Sequence, residues 1–157
     1  MLTDQRIAEL IAEKKSLPEN YLDRLRPQQQ VGQIYTRGSL SVVGDNGSHF
    51  RINTRKSTID MRDFSIVFIY EIQSTNQEYV IARYNGDHGE HQNTIEKETV
   101  EGFHIHKATE RYQKAGKHIE SYAVETDSYG SFTAALGIFI NDMNFTLPGL
   151  GKYMGGE

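Results

Sequence analysis

The chain has 157 residues, no cysteine and a formal net charge of −4 at pH 7. A chain of this length is expected to fold as one domain and to bury roughly two-thirds of the surface that its unfolded form exposes. The lack of cysteine excludes disulfide frameworks, thiolate zinc sites and cysteine nucleophiles. The negative charge argues against a uniformly basic surface that coats nucleic acid, although it leaves room for a basic groove.

The N-terminal segment is amphipathic and charged, without the apolar core and the cleavage site of a signal peptide. No apolar stretch approaches the ~20 residues of a membrane helix, since the longest runs from Ser65 to Tyr70. We therefore expect a cytoplasmic protein that does not enter a membrane. Residues 1–147 are predicted to form the domain, and the glycine-rich residues 148–157 are predicted to form a loose tail.

Two helices are predicted at the start of the chain. Thr3 can cap the first helix, and the helical spacing of Ile7, Leu10, Ile11 and Lys14 predicts that this helix extends to about Lys15. A second, short helix is predicted at 19–25, between Pro18 and Pro27.

The pattern then changes to one typical of strands. The chain is rich in β-branched and aromatic residues as far as Tyr84, and Asp45-Asn46-Gly47 is a strong hairpin signal. The predicted strands are 32–36, 39–44, 48–54, 65–73 and 78–84.

A long polar loop from Asn85 to Gly102 precedes the last predicted elements. These are a strand at 103–107, a helical turn at 108–115, a strand at about 120–125 and an amphipathic helix from Phe132 to Asn144. Strands in one block with helices segregated from them predict an α+β domain. We expect an antiparallel sheet of five to seven strands, with the N- and C-terminal helices packed on one face and the other face partly open.

Four of the six histidines fall within nineteen residues, with His88 and His91 in the predicted loop and His104 and His106 on the strand after it. Side chains alternate along a strand, so His104 and His106 should project from one face. We expect at least one loop imidazole within about 8 Å of this pair, close enough for one ligand to bridge them. Imidazole exchanges a proton near neutral pH and also binds metals, which makes the cluster a candidate site.

One use of this cluster is the cleavage of RNA without a metal. The histidines would supply a general base and a general acid, and arginine would hold the phosphate oxygens. Two tyrosines could stack a splayed base, although packing in the sheet is their more frequent role. The predicted catalytic residues are Arg83, His91, His104 and His106, and the predicted substrate-binding residues are Tyr84, His88, Arg111 and Tyr112.

Two other uses remain open at the level of sequence. Three of the imidazoles, with Glu90 or Glu96 nearby, could bind zinc, since the spacing permits such a site without being diagnostic of it. Alternatively, the histidines only bond to carboxylates, and the acidic loop docks on another protein without any catalysis.

In the central segment, Arg83-Tyr84-Asn85-Gly86 leads into His88 and His91, and Phe103-His104-Ile105-His106 follows. This pattern resembles that of small prokaryotic toxin-like proteins of the TumE type, and the resemblance extends in order of elements over 79–144. This chain lacks the proline before His104, has one histidine fewer there and has a longer loop. The resemblance implies a toxin–antitoxin pair and ribonuclease activity.

The leading hypothesis from the sequence is therefore a toxin-type ribonuclease that needs no cofactor and acts through a His/Arg site on an open sheet face. The second hypothesis is a protein-binding antagonist of a nucleic-acid-processing machine, whose acidic loop mimics phosphate. The third is a metal-dependent hydrolase. The expected partner is RNA or a protein, either an antitoxin or a larger complex.

Overall fold

The computed structural model describes residues 1–26 and 31–149. Its helices are α1 (Asp4–Ala12), α2 (Tyr21–Leu25), α3 (Glu110–Lys114) and α4 (Phe132–Asp142). Its strands are β1 (Lys15–Ser16), β2 (Tyr35–Val43), β3 (His49–Ser57), β4 (Phe64–Glu71), β5 (Glu78–Asn85), β6 (His91–Asn93), β7 (Glu98–Val100), β8 (His104–Lys107), β9 (Tyr122–Glu125) and β10 (Phe145–Thr146).

The main sheet has six antiparallel strands in the order β2-β3-β4-β5-β8-β9. The predicted α+β class is confirmed, with helices at both ends of the chain. The strands predicted at 32–36 and 39–44 are one continuous strand, β2. Gly38, which falls between the two predicted strands, lies in the middle of β2, where a Cβ would come within 2.3 Å of the Arg24 carbonyl oxygen of α2. The glycine therefore allows close packing of a helix and does not mark a turn.

One face of the sheet forms the hydrophobic core together with α1 and α4. The core-facing residues are every second residue of β3 and β4, and Phe50, Ile52, Phe64 and Phe68 are fully buried there. Phe139 of α4 packs edge-on against Phe68 at 6.0 Å between ring centroids. Burial of these large side chains is the main favourable contribution to folding.

The opposite face carries polar residues in register across the strands. One row runs through all six strands and consists of Arg37, Arg55, Ser65, Asn85, His104 and Glu125. The next row is polar except at two positions and consists of Ser39, Asn53, Val67, Arg83, His106 and Ala123. Directly paired residues share a face, so the predicted histidine pair lies on the face opposite the core helices.

The first helix is shorter than predicted, because α1 ends at Ala12 and Lys15 belongs to β1, which pairs in parallel with β10. Thr3 caps α1 as predicted, by accepting a hydrogen bond from the Arg6 amide. The last helix also ends early, at Asp142, and Asn144 beyond it has a left-handed φ of 61°.

The segment predicted as a long loop contains a small hairpin, β6 and β7. Asn93 attaches this hairpin to β9, since its side-chain amide accepts from the Ala123 amide at 2.9 Å and donates to the Ala123 carbonyl at 2.8 Å. Pro27 and residues 150–157 of the predicted tail lie outside the described residues. Among those that are described, no helix is long and apolar enough to cross a membrane.

Candidate functional site

The four clustered histidines come together, as the sequence predicts. The ring centroids of His104 and His106 are 5.0 Å apart, and His91 lies 4.6 Å from His106 and 6.3 Å from His104. His88 is the outermost member, with its ring centroid 5.9 Å from that of His104. Both loop imidazoles are therefore within the distance that a single ligand could bridge.

Backbone carbonyls fix the orientation of two of these rings. His91 donates from Nε2 to the Ser121 carbonyl at 2.6 Å, and His106 donates from Nδ1 to the Glu120 carbonyl at 2.9 Å. In the neutral form of each ring, the other nitrogen keeps its lone pair, which is Nδ1 in His91 and Nε2 in His106. Each ring therefore has one structural nitrogen and one nitrogen available for chemistry.

His104 differs because both of its ring nitrogens have partners. Nδ1 donates to the Gly102 carbonyl at 2.8 Å, so in the neutral ring Nε2 accepts from Asn85 Nδ2 at 3.3 Å. The Tyr129 hydroxyl contacts the carbonyl oxygens of Asn85 and His104 at 2.8 and 3.1 Å, which joins β5 to β8 at this point. His104 is thus held rigidly inside the cluster.

The expectation of an open face is wrong at the cluster. The β6–β7 hairpin lies over β8 and β9, and His104 and His106 retain only 2% and 9% of their exposure. Burial, followed by the nearby imidazoles, lowers the pKa of His106 to about 4. Burial also lowers the pKa of His104, against the opposing effect of its bond to Gly102. At neutral pH both rings are therefore uncharged.

Arg83 lies beside His106 in the second polar row, since the two residues are directly paired across β5 and β8. Its guanidinium is 3.9 Å from Glu120 Oε1, which is the outer limit of an ion pair, and its side chain is about one-third exposed. The cation is therefore next to the buried imidazoles and remains accessible to an anion.

Two buried polar atoms near the histidines have no hydrogen-bond partner among the described residues. They are Ser65 Oγ and Asn85 Oδ1, which belong to directly paired residues of the first polar row. Buried polar atoms in native proteins are nearly always satisfied by protein or by bound water. Ser65 Oγ and Asn85 Oδ1 are therefore two neighbouring polar atoms that the described residues leave without a partner.

Three of the predicted substrate-binding residues do not line the cluster. Tyr84 faces the core helices, is buried, and donates to Asp142 at 2.5 Å. Tyr112 is fully buried under the hairpin and donates to Glu96 at 2.5 Å, and the same carboxylate pairs with Arg111. Buried tyrosines cannot stack a base, and the Arg111 charge is already paired.

His88, the fourth predicted binding residue, is exposed and lies next to carboxylates. A hydrogen bond with Glu90 raises the pKa of Glu101, and the negative charges of Glu90, Glu125 and Asp87 raise it further. These four acidic residues, which we call the acidic corner, form a negatively charged surface at the His88 end of the cluster.

Sequence reasoning missed Asn85 and Glu120, which position His104 and His106. Asn85 could have been found, because it lies two residues after Arg83, on the same face of the strand, and directly precedes the histidine-bearing loop. Glu120 contributes mainly through its backbone carbonyl, for which no residue-type signal exists.

Within residues 1–26 and 31–149, no group of three or more His, Asp or Glu side chains is arranged to hold a metal ion.

The fold and the site together define an α+β protein with a buried histidine cluster beside an accessible arginine. By comparison with known families, residues 2–145 match the model of a family of unknown function, DUF6978, and the chain belongs to this family. No curated protein and no solved structure matches the chain.

Proposed function

We propose that the protein is a toxin-type, metal-independent endoribonuclease whose site consists of Arg83, His91 and His106. The observation that carries this proposal is the contact between His91 and His106. In each ring one nitrogen is bonded to a backbone carbonyl, and the other has no hydrogen-bond partner among the described residues. Two oriented imidazoles next to a cation are what the cleavage of RNA through its 2′-hydroxyl requires.

His106 is assigned as the general base. Its low pKa keeps Nε2 unprotonated at neutral pH, and Nε2 takes the proton of the 2′-hydroxyl as that oxygen attacks phosphorus. A pKa of about 4 makes this imidazole a weak base in the free protein. The phosphate that binds beside it supplies a negative charge, which favours the protonated ring and strengthens the base during the reaction.

His91 and Arg83 complete the reaction. Protonated His91 gives a proton from Nδ1 to the 5′-oxygen as the bond between this oxygen and phosphorus breaks. The products are a 2′,3′-cyclic phosphate and a 5′-hydroxyl end. Arg83 stabilises the negative charge that develops on the phosphate oxygens. His104, with both nitrogens engaged, acts as a positioning residue that keeps His106 and Asn85 in place.

The test is expression in a bacterial host, followed by analysis of RNA ends with purified protein in the presence of a chelator. We expect growth arrest and 2′,3′-cyclic phosphate ends. His106→Asn keeps a donor for the Glu120 carbonyl and removes Nε2, whereas His91→Gln keeps a donor for Ser121 and removes Nδ1. Each of these variants, and Arg83→Ala, should lower the cleavage rate by ~10²–10⁴.

His49→Asn is the matched control, because His49 lies at the start of β3, two strands away from β5. It should cleave like the wild type, and circular dichroism should show that every variant is folded. The proposal is wrong if the wild-type protein leaves RNA intact, or if His106→Asn and His91→Gln cleave as fast as His49→Asn.

A second candidate function is supported by the acidic corner. The other three carboxylates raise the pKa of Glu101, and of the four only Asp87 forms a salt bridge within the described part of the chain, with Arg62 at 2.9 Å. The remaining carboxylates are available to a basic partner. This arrangement favours a protein-binding antagonist that mimics phosphate. A protein that is harmless at high expression, and that loses a stoichiometric partner on Glu101→Lys, would establish the antagonist in place of the enzyme.

A further inference from the structure

A groove of about 430 Å³ opens on the outer side of His91. It lies between β6 and the segment that follows α3, and its lining includes Thr94, Lys117, His118 and Ser121. His91 belongs both to this groove and to the histidine cluster, because its ring also contacts His106. A ligand in the groove would therefore be adjacent to the proposed reaction centre.

The side chains that line the groove are available for a ligand. In the described part of the chain, Thr94, Lys117, His118 and Ser121 have no side-chain hydrogen bond or ion pair. Other cations of the same region are neutralised, since Arg111 pairs with Glu96 and Lys114 with Glu110 at 2.7 Å. Lys117 is the cation that this region leaves free beside the groove.

The turn after α3 fixes where these residues lie. Gly116 has a left-handed φ of 73°, and the Lys117 amide donates to the Tyr112 carbonyl at 3.0 Å. Tyr112 is fully buried, so this hydrogen bond anchors the turn to the core. A lysine, an imidazole and two hydroxyl groups around one groove are donors suited to the oxygens of a phosphate.

We infer that the groove is a phosphate-binding subsite for single-stranded RNA, in which Lys117 and His118 hold the phosphate next to the one that is cleaved. This inference rests on the proposed function and names where its substrate binds. It also reconciles RNA binding with the net charge of −4, because a local pair of free donors replaces a uniformly basic surface.

The probe is a single-stranded 2′-deoxy oligonucleotide, which has the phosphates but lacks the attacking hydroxyl and is therefore not cleaved. Lys117→Ala should raise its Kd by about 3- to 10-fold at low salt. The salt dependence of log Kd should become shallower by about 0.7, as expected when one phosphate contact to a single strand is lost. His118→Ala should also weaken binding. With RNA as substrate, Lys117→Ala should raise KM more than it lowers kcat.

Lys107→Ala is the control, since Lys107 is exposed and points to the opposite face of β8 from His106. The subsite is refuted if Lys117→Ala and Lys107→Ala bind with the same Kd and the same salt dependence, even when RNA is cleaved. Binding that depends on Lys117 without any cleavage supports the subsite and refutes the ribonuclease. The absence of both binding and cleavage overturns both proposals.

Discussion

Two buried basic side chains of this protein, Lys15 and His106, differ in how completely their polar atoms are hydrogen-bonded. Burial lowers the pKa of Lys15 to about 8 and that of His106 to about 4. At neutral pH, Lys15 is therefore charged and His106 is not. Both side chains are removed from water, so the difference between them lies in what surrounds each one.

Every bond that the Lys15 ammonium can make is used. Its three donors reach the carbonyl oxygens of Ile11 at 3.0 Å, Glu13 at 2.6 Å and Met143 at 2.7 Å. These carbonyls lie at the C-terminal ends of α1 and α4, where helices leave acceptors without partners and favour a positive charge. Three aromatic rings surround the ammonium, namely Phe50, Phe68 and Phe145, at 5.0 to 5.5 Å from their centroids.

In the histidine cluster, by contrast, some polar atoms have no hydrogen-bond partner. His106 Nε2 has no partner among the described residues, and Ser65 Oγ and Asn85 Oδ1 nearby are also unpaired. A buried polar group without a partner costs free energy, so a site that retains two of them beside an unbonded imidazole nitrogen is suited to a ligand more than to stability. Lys15 therefore serves folding and the histidine cluster serves function. Each of the following experiments tests this distinction.

The largest expected effect on stability is at Lys15. Lys15→Met keeps apolar volume but leaves three carbonyls without a donor, and should lower the free energy of unfolding by about 3–5 kcal/mol. Chemical denaturation measures this loss. Lys14→Ala, at the exposed neighbour, should cost less than about 0.5 kcal/mol. If the two variants unfold at the same denaturant concentration, Lys15 is not the structural connection between α1 and α4.

The next effect is the pH dependence of stability that His106 produces. Its folded-state pKa of about 4 lies below the usual 6.5, so the unfolded state binds a proton first as the pH falls. Stability that is fully present above pH 6.5 is therefore lost as the pH falls to about 4, by ~3 kcal/mol for this group. The measurement is the free energy of unfolding between pH 7 and pH 4, for the wild type and for His106→Asn.

The difference between these two curves isolates His106 from the carboxylates that titrate in the same range. His106→Asn should flatten the curve while changing stability at pH 7 by a smaller amount than Lys15→Met does. Parallel curves for the two proteins would show that His106 is protonated as easily in the folded protein as in the unfolded chain. His106 would then not be the neutral general base that we propose.

The sequence predicted the members of the cluster but not their surroundings. Strand alternation places His104 and His106 on one face, and the same rule places Tyr84 on the other face from Arg83, so its assignment as a base-stacking residue could have been avoided. The burial of the histidines could not have been predicted, because it depends on a hairpin held to β9 by Asn93.

The role of Lys15 was even harder to predict from the sequence than the burial of the histidines. The helical spacing of the first residues continues as far as Lys14, and nothing local marks Lys15 as a buried cation. Its role depends on Met143, which is 128 residues away in the chain. Long-range contacts of this kind are set by the packing of the whole domain, whereas periodicity reports only which face a residue occupies.

The smallest expected effect compares two buried hydroxyl groups on neighbouring strands. Thr54 Oγ1 donates to the Leu25 carbonyl at 2.8 Å, whereas Ser65 Oγ has no partner among the described residues. Thr54→Val should lower the free energy of unfolding by about 1–2 kcal/mol, because it leaves the carbonyl unpaired. Ser65→Ala should be neutral or stabilising by up to about 1 kcal/mol, since it removes a desolvated group that gains nothing in return. If Ser65→Ala is instead as destabilising as Thr54→Val, the hydroxyl is satisfied in solution, for example by a bound water, and the polar row is already complete without a ligand. A neutral or stabilising effect would show that the Ser65 hydroxyl has no partner in the folded protein and that its burial lowers stability.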